Sequence, residues 1–465
     1  LRQPTKAPTA QYNGSRTMAT RSARNNYMKL PATQQIARRF SNQTALIGVI
    51  GLGYVGLPLL LRFNTSGFKG LGFDIDEQKI NALNSGSSYI SHISHSQIKS
   101  AYDRGLRVTA DFSQIKHCDA LILCLPTPLT SDREPDLSHI IATIEMLAPY
   151  LQRGQIVSLE STTYPGTCEE ELLPRLERTG LVVGEEIFLV YSPEREDPGN
   201  QDFEARDVPR IVAGYSRACL TLGTALYEAV TERVVPMSSI REAELTKLLE
   251  NIQRSVNIGL MNEMKMVADR MDIDIFEIID AASTKPFGFT RYYPGPGLGG
   301  HCIPIDPFYL TYKARLLGID TRFIELSGEI NRAMPSYVIQ KTEWALRQQS
   351  KNISDAKILV LGLAYKKNVG DPRESPAIKL IDLLTKQGAD VSYSDPFLLT
   401  FPKMRNYQYS LVSTELSASI LSSFDVVVLI TDHDCFDFDL IQAHSKLIID
   451  TRGRYRGAIT NVVRA

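Results

Sequence analysis

Three glycines confine the start of this chain to one kind of local structure. Ala45 to Ile50 is a short apolar run that opens into Gly51-Leu-Gly53-Tyr54-Val55-Gly56 and an apolar stretch reaching Phe63. A second apolar run ends in Gly72-Phe73-Asp74. The order spells strand, tight turn, helix, strand. Gly51 permits the turn, Gly53 lets backbone approach a ligand, and Gly56 allows close helix packing. A helix N-terminus opened this way attracts phosphate, because its free N–H groups and its dipole point outward. Asp74, 18 residues beyond Gly56, stands where a carboxylate takes ribose hydroxyls. With Asp76 nearby it repels a 2′-phosphate, so the pattern selects NAD over NADP. Tyr54, Val55 and Lys79 are expected among the cofactor contacts.

The alternation continues. Ala120 to Leu125 runs into Pro126-Thr127-Pro128, Ile156 to Leu159 into Glu160-Ser161-Thr162, and Ile187 to Tyr191 into Ser192-Pro193-Glu194. Alternating strands and helices predict a doubly wound parallel sheet with ligands beyond the carboxyl ends of its strands. Arg241 to Met271 has no Pro, one Gly and apolar residues at helical spacing (Leu245, Leu248, Leu249, Ile252, Val256, Leu260), which reads as one long helix. After a Pro/Gly-rich segment and more helix, Lys357 to Leu361 meets Gly362-Leu363-Ala364, a second strand-to-helix turn. The expected fold is α/β: two Rossmann-type doubly wound domains joined by a central long-helix domain. The expected boundaries are a leader over 1–44, an NAD-binding domain over 45–240, a central domain over 241–345 and a second Rossmann-like domain over 346–465.

Composition narrows the class. At 465 residues the chain exceeds one hydrophobic core, and no apolar run approaches the roughly 18 residues that span a bilayer. A net charge of −1 gives no reason to expect nucleic acid or a membrane as partner. The charge is uneven: residues 1–45 carry eight of the 51 bases and no acid. With no apolar periodicity, this leader reads as a disordered tail; its Arg- and Ser-rich, acid-poor make-up also fits an organelle transit peptide. The six cysteines are scattered without a C-x-x-C pair. That favours a reducing compartment, here the cytoplasm, over a disulfide framework or a structural metal.

The second dense signal is Gly297-Leu-Gly299-Gly300-His301-Cys302-Ile-Pro304-Ile-Asp306. Glycines let backbone and ligand approach closely, and a thiol beside them is suited to attack an aldehyde. Asp306 shares a face with Cys302 if Pro304 opens a helix. Lys247 and Asn251 are four apart on the long helix. Two readings stand: a solvated face, or a buried polar stripe continuing through Ser255 that supplies oxyanion donors. His301 reads as structural. Asp432-His433-Asp434-Cys435 holds metal-type ligands, but neighbours in an extended run face opposite ways, so no metal site is expected.

Taken together the chain resembles the UDP-glucose/GDP-mannose dehydrogenase family of nucleotide-sugar dehydrogenases. The resemblance runs from Leu46 to the C-terminus. It rests on Gly51 to Gly56, Glu160-Ser-Thr-Thr-Tyr-Pro-Gly-Thr167, Ser192-Pro-Glu194, Lys247 with Asn251, Gly299-Gly-His-Cys302 with Asp306, and Gly362-Leu-Ala-Tyr-Lys366 through Asp371-Pro-Arg373-Glu-Ser375. It implies a four-electron oxidation of a sugar C6 alcohol to the carboxylate, with two NAD⁺ consumed in succession. Cys302 would trap the aldehyde as a thiohemiacetal, whose oxidation gives a thioester that water hydrolyses. By the same resemblance Lys247 and Asn251 stabilise oxyanions, and Glu194 and Asp306 position or activate water. Thr127 and Thr162 line the nicotinamide side. Tyr365, Lys366 and Gly299 hold the UDP-sugar, and the long helix makes a homodimer.

One departure bears on the substrate. The UDP-glucose branch of the family typically reads N-P-E-F-L-A-E-G, where this chain has Ser192-Pro-Glu-Arg-Glu-Asp-Pro-Gly-Asn200, with Pro198 at the second acidic position. With Tyr292-Tyr-Pro-Gly-Pro-Gly297, this is more similar to the UDP-N-acetylhexosamine 6-dehydrogenases, especially those using UDP-N-acetylglucosamine; UDP-N-acetylmannosamine and UDP-glucose are the alternatives. Arg291-Tyr292 depart from that branch's usual Pro-Phe. A two-electron 2-hydroxyacid or sugar-acid dehydrogenase and a non-catalytic nucleotide-binding regulator are the competing readings. The first needs no thiol, and the second would be expected to have lost Cys302, Lys247 or Asn251.

Overall fold

The computed structural model describes residues 32–90, 93–195, 207–300, 302–404 and 407–465. The first described element corrects the expectation of a structureless leader. Ala32–Ser41 forms helix α1, which packs through buried Phe40 and partly buried Ile36 on helix α3 (Arg217–Tyr227). Arg39 pairs with Asp119, whose carboxylate also accepts Leu46 N–H at 2.8 Å. One apolar i,i+4 pair is too little to register as periodicity, yet tertiary packing is enough to fix a helix. Residues 1–31 of the leader lie outside the described residues.

The first sheet holds β1 (Leu46–Ile50), β2 (Lys69–Phe73), β3 (Arg107–Thr109), β4 (Ala120–Leu123), β5 (Ile156–Leu159), β6 (Phe188–Tyr191), β7 (Arg210–Gly214) and β8 (Val234–Pro236), in the order β3-β2-β1-β4-β5-β6-β7-β8. Its pairs are parallel except β6 with β7. The central strands β4, β5 and β6 are buried throughout and β1 in all but its first residue, as a helix-covered parallel sheet requires. Strand order reverses between β1 and β4, so the turn into helix α2 (Gly56–Thr65) faces the loop after β4 across a switch-point crevice.

The middle of the chain is helical. Helix α4 (Ile240–Arg270) lies along α6 (Arg322–Gln348), with α5 (Asp306–Leu316) against both. Its inward face is unusually polar. Glu244, Lys247, Asn251, Ser255, Asn262 and Lys265 are buried there, whereas Leu245, Leu249 and Leu260 of the predicted apolar pattern are exposed. Asn262 donates to Asn331 Oδ1 (2.8 Å) and Asn331 to Ser255 O (3.1 Å), so side-chain hydrogen bonds tie α4 to α6.

The second sheet holds β9 (Lys357–Leu361), β10 (Asp390–Ser394), β11 (Val426–Leu429), β12 (Ile448–Asp450) and β13 (Val462–Arg464), all parallel, in the order β10-β9-β11-β12-β13. Renumbered within the domain this is 2-1-3-4-5, the other common doubly wound order, with its switch point between β9 and β11. Helix α7 (Pro376–Lys386) follows the β9 loop. Among the described residues no helix is long and apolar enough to cross a membrane.

Candidate active site

Three loops build the cofactor side. Gly51 has φ +90°, and a Cβ there would lie 2.3 Å from Cys124 O, while one at Gly56 would lie 1.9 Å from Gly51 O. Those two glycines are demanded by the protein's own packing. At Gly53 an added Cβ meets nothing within 4 Å, so this stretch of backbone borders open space. Asp74 follows β2 and accepts Leu52 N–H (2.9 Å), Asp76 N–H (2.9 Å) and Lys79 Nζ (3.1 Å). Tyr54 and Val55 are half-buried beside the turn. Thr127 is buried and hydrogen-bonds Tyr309 of α5, whose hydroxyl also donates to Pro128 O at 3.2 Å. Half-buried Thr162 follows Ser161, whose hydroxyl accepts Leu125 N–H (2.9 Å) and donates to Leu125 O (2.8 Å).

The thiol stands across the crevice. Helix α5 begins at Asp306 rather than at Pro304, with Pro307 in its first turn. Pro304 sits instead in the turn that precedes it, closed by Asp306 N–H donating to Cys302 O at 2.8 Å, and this turn brings Cys302 and Asp306 together. Asn251 donates to Asp306 Oδ2 at 2.6 Å. Lys247 is only 7% exposed, and among the described residues its ammonium has neither hydrogen bond nor ion pair. The two readings of the Lys247–Asn251 stripe are thereby resolved for burial, because α4 turns this face inward.

Charge couples these groups. Burial raises Asp306 to about 7, opposed by Lys247 and the bond from Asn251. Burial also pushes the Cys302 thiol up to about 11; Asp306 and Glu194 raise it further, while Lys247 and Arg373 pull it down. At neutral pH the resting group is therefore a thiol.

Glu194 joins the same field but is committed elsewhere. Arg210 Nη2 lies 2.7 Å from its Oε2, while the same guanidinium holds buried Glu160 at 2.6 and 3.2 Å. Tyr227 donates to Glu160 at 2.8 Å and pairs with Ser158 at 2.7 Å. Desolvation is the main cause that lifts Glu160 to about 7, Arg210 opposing it. The grip of Arg210 fixes the position of the Glu194 carboxylate.

The second Rossmann-like domain closes the site. A Cβ on Gly299 would lie 2.5 Å from Tyr365 Cβ, and one on Gly300 3.0 Å from the Tyr365 ring. Gly300, at φ +85°, donates to Arg373 O at 2.9 Å. Arg373 is paired with Asp371 (2.6 Å) and stacks 4.8 Å over the Tyr54 ring, joining the glycine turn of one domain to a loop of the other. Lys366 follows Tyr365 in a half-buried position. His301 and the residues from 196 to 200, with Pro198, lie outside the described residues.

Several neighbours escaped the sequence reading. Arg373 lies inside a recognised motif but without an assigned role. Arg210 had no local signal, since its partner Glu160 is 50 residues away. Glu244 is another. It accepts Gly166 N–H (2.6 Å) and Cys168 N–H (3.0 Å), pinning the loop after β5 to α4. Arg452 donates to Ile430 O at 2.6 Å and backs Gly295.

Family models match nearly the whole described chain. They are the NAD binding domain of the UDP-glucose/GDP-mannose dehydrogenase family over residues 45–231, its central domain over 241–333, and its UDP binding domain over 359–457. A UDP-N-acetyl-D-glucosamine 6-dehydrogenase from Pseudomonas aeruginosa is 33% identical over 392 residues, covering 84% of this chain and 91% of the relative. A UDP-N-acetyl-D-mannosamine dehydrogenase from Pyrococcus horikoshii is 34% identical over 418 residues, covering 87% and 95%. The solved structure of UDP-D-ManNAc dehydrogenase from Pyrococcus horikoshii superposes with a TM-score of 0.80 at 31% identity, over 90% of this chain and 98% of that one.

Proposed function

Because the chain belongs to the UDP-glucose/GDP-mannose dehydrogenase family of NAD-dependent nucleotide-sugar dehydrogenases, we propose that it oxidises the C6 alcohol of UDP-N-acetylglucosamine to the carboxylate through a covalent intermediate on Cys302. The observation that carries the mechanism is a buried Lys247 ammonium that makes no hydrogen bond or ion pair among the described residues and shares one charge field with Cys302, Asp306 and Asn251. Among the described residues its N–H donors have no protein acceptor, and developing negative charge on a substrate oxygen supplies one.

The residues present fit NAD: Gly51 to Gly56 with open space at Gly53 would take the pyrophosphate, Asp74 the ribose, and Thr127 and Thr162 the nicotinamide side. When bound, the cofactor supplies hydride acceptance for both oxidations. The protein does the rest. After the alcohol has become an aldehyde, Cys302 sulfur bonds to its carbonyl carbon, the thiol proton leaves to a base, and Lys247 and Asn251 stabilise the oxygen. Oxidation of this thiohemiacetal gives a thioester. Water then adds to the thioester carbon and the C–S bond breaks, returning the proton to sulfur. Asp306, raised to about 7, is poised to take and return these protons near neutral pH; Glu194, held by Arg210, orients the water. Tyr365 and Lys366, on the domain whose family model is the UDP binding one, hold the nucleotide together with Gly299 of the central domain. The exposed apolar residues of α4 support a homodimer formed along that helix.

The test is NADH yield per sugar, with UDP-N-acetylglucosamine, UDP-N-acetylmannosamine and UDP-glucose offered separately to wild type and Cys302→Ala. About two NADH per UDP-N-acetylglucosamine, with turnover lost in the variant, is expected for the covalent route. One NADH per sugar, or undiminished turnover without the thiol, overturns the route. Two NADH from another sugar keeps the route and replaces the substrate.

A further inference from the structure

The stretch Thr431-Asp432-His433-Asp434, read from sequence as metal-type ligands without a site, folds onto the loop that carries Tyr365 and Lys366. It follows β11 as that loop follows β9, so the two face each other at the second switch point. The loop is gripped at both ends. Before Tyr365, Asp395 Oδ2 accepts Leu363 N–H (2.7 Å) and Ala364 N–H (2.9 Å), and Thr431 Oγ1 donates to Ala364 O (2.6 Å). After Lys366, Asn368 N–H donates to His433 Nδ1 (2.9 Å), Lys367 Nζ to Asp434 (3.1 Å), and Asn368 Nδ2 to Asp434 (2.5 Å). Asn368 holds φ +63°, a conformation asparagine tolerates better than most residues.

His433 joins the two grips. Its Nδ1 accepts a backbone N–H, so the neutral ring carries its hydrogen on Nε2, which donates to Asp395 Oδ2 at 3.1 Å. Both side chains are fully buried, and His433 lies between Phe397 (5.0 Å) and Phe436 (5.4 Å). Asp395 follows β10 as Asp74 follows β2, and each accepts the N–H that follows its own domain's turn glycine. The resemblance stops at the free valences. Asp395 takes five donors, Leu363, Ala364 and His433 on one oxygen and Phe397 and Leu398 on the other, and so has no capacity left for ribose hydroxyls. The acidic residue that would bind a dinucleotide in this domain is consumed in shaping its loop.

We infer that Asp395, His433, Thr431 and Asp434 are positioning residues for the nucleotide half of the substrate, a clamp that presents Tyr365 and Lys366 to a nucleoside diphosphate. The inference rests on the reading that those two residues hold the UDP group. Without the clamp the loop samples other conformations, and binding the diphosphate must first reorder it.

Equilibrium titration of the full-length protein with UDP, and separately with NAD, tests this in His433→Phe, His433→Gln, Asp434→Ala and Lys366→Ala. His433→Phe keeps the aromatic packing and removes both hydrogen bonds, so UDP should bind about tenfold more weakly, the worth of a hydrogen bond to a charged group. NAD affinity should be unchanged, and the KM for UDP-sugar should rise with little change in kcat. His433→Gln, which can restore a donor toward Asp395, should recover part of the loss. Unchanged UDP affinity in a folded His433→Phe overturns the clamp. Where that variant does not fold, exposed Asp434→Ala decides: a several-fold loss of UDP affinity supports the clamp and no loss overturns it. Lys366→Ala separates the two ideas. If it weakens UDP binding and the clamp variants do not, only the clamp falls; if it has no effect, the reading of Tyr365 and Lys366 falls instead.

Discussion

Cys302 carries the chemical proposal, yet its surroundings hold it as a thiol, pushed up to about 11 first by burial and then by Asp306. Alkylation proceeds through the thiolate, so its rate at Cys302 should climb about tenfold per pH unit between roughly pH 8 and 10 without a plateau. Peptide mass spectrometry after brief iodoacetamide treatment of the ligand-free protein measures this, with exposed Cys435 as internal reference. At pH 7 Cys435 should label first; a Cys302 that labels faster and independently of pH would mean a preformed thiolate. At this scale, legibility followed sequence separation. Cys302 with Asp306, and Lys247 with Asn251, are four apart, and a turn or a helix brings such pairs together wherever it forms. Arg210, Glu160 and Tyr227 meet only because β5, β7 and α3 converge, which no local pattern encodes.

The glycine turn after β1 separates two demands on one short element. A Cβ at Gly51 collides with Cys124 O and also meets a left-handed backbone, whereas a Cβ at Gly53 enters open space. Gly53→Ala should therefore keep the wild-type Tm and lose NAD affinity, while Gly51→Ala should lower stability by more than about 1 kcal/mol. Thermal denaturation and NAD titration of the pair check it; equal loss of Tm in both would contradict the division. Both turns, the long helix and the two sheets were readable from spacing, because strand and helix periods are local. The face that α4 buries was not. Helical spacing names six apolar residues, of which Leu248 and Ile252 are buried, but packing against α5, α6 and the sheet also turns the polar stripe inward and leaves Leu245, Leu249 and Leu260 exposed. Helix α1 was missed for a related reason, since its few apolar contacts acquire meaning only on α3.

For the whole molecule, the outward stripe becomes a statement about assembly. Leu245, Leu249, Leu260, Met264 and Val267 of α4, with Met271 just past its end, are each 41% to 63% exposed. A contiguous apolar stripe of this kind marks an interaction surface, and a second copy of α4 offers a matching one under two-fold symmetry. Leu249→Glu combined with Leu260→Glu should convert a dimer into monomer by light scattering while leaving the monomer folded. A wild-type protein that runs as monomer at all concentrations would remove the dimer proposal. The three-part organisation was legible because each part announces itself by its own periodicity. The docking of the parts through Tyr54, Arg373, Tyr365 and the Gly299-Gly300 pair was not, because it depends on contacts between loops far apart in sequence.

Helix α4 turns Lys247 inward with no ion pair among the described residues, its charge set only against the field of Asp306. Exchanging that ammonium for an apolar chain of similar length, Lys247→Met, removes the desolvation cost and should raise the Tm by a few degrees while abolishing turnover. A drop in Tm would show that the ammonium has a stabilising partner after all. The wild-type residue is then a concession of durability to reactivity, and α4 is the first place where selection for heat resistance alone would disarm the enzyme.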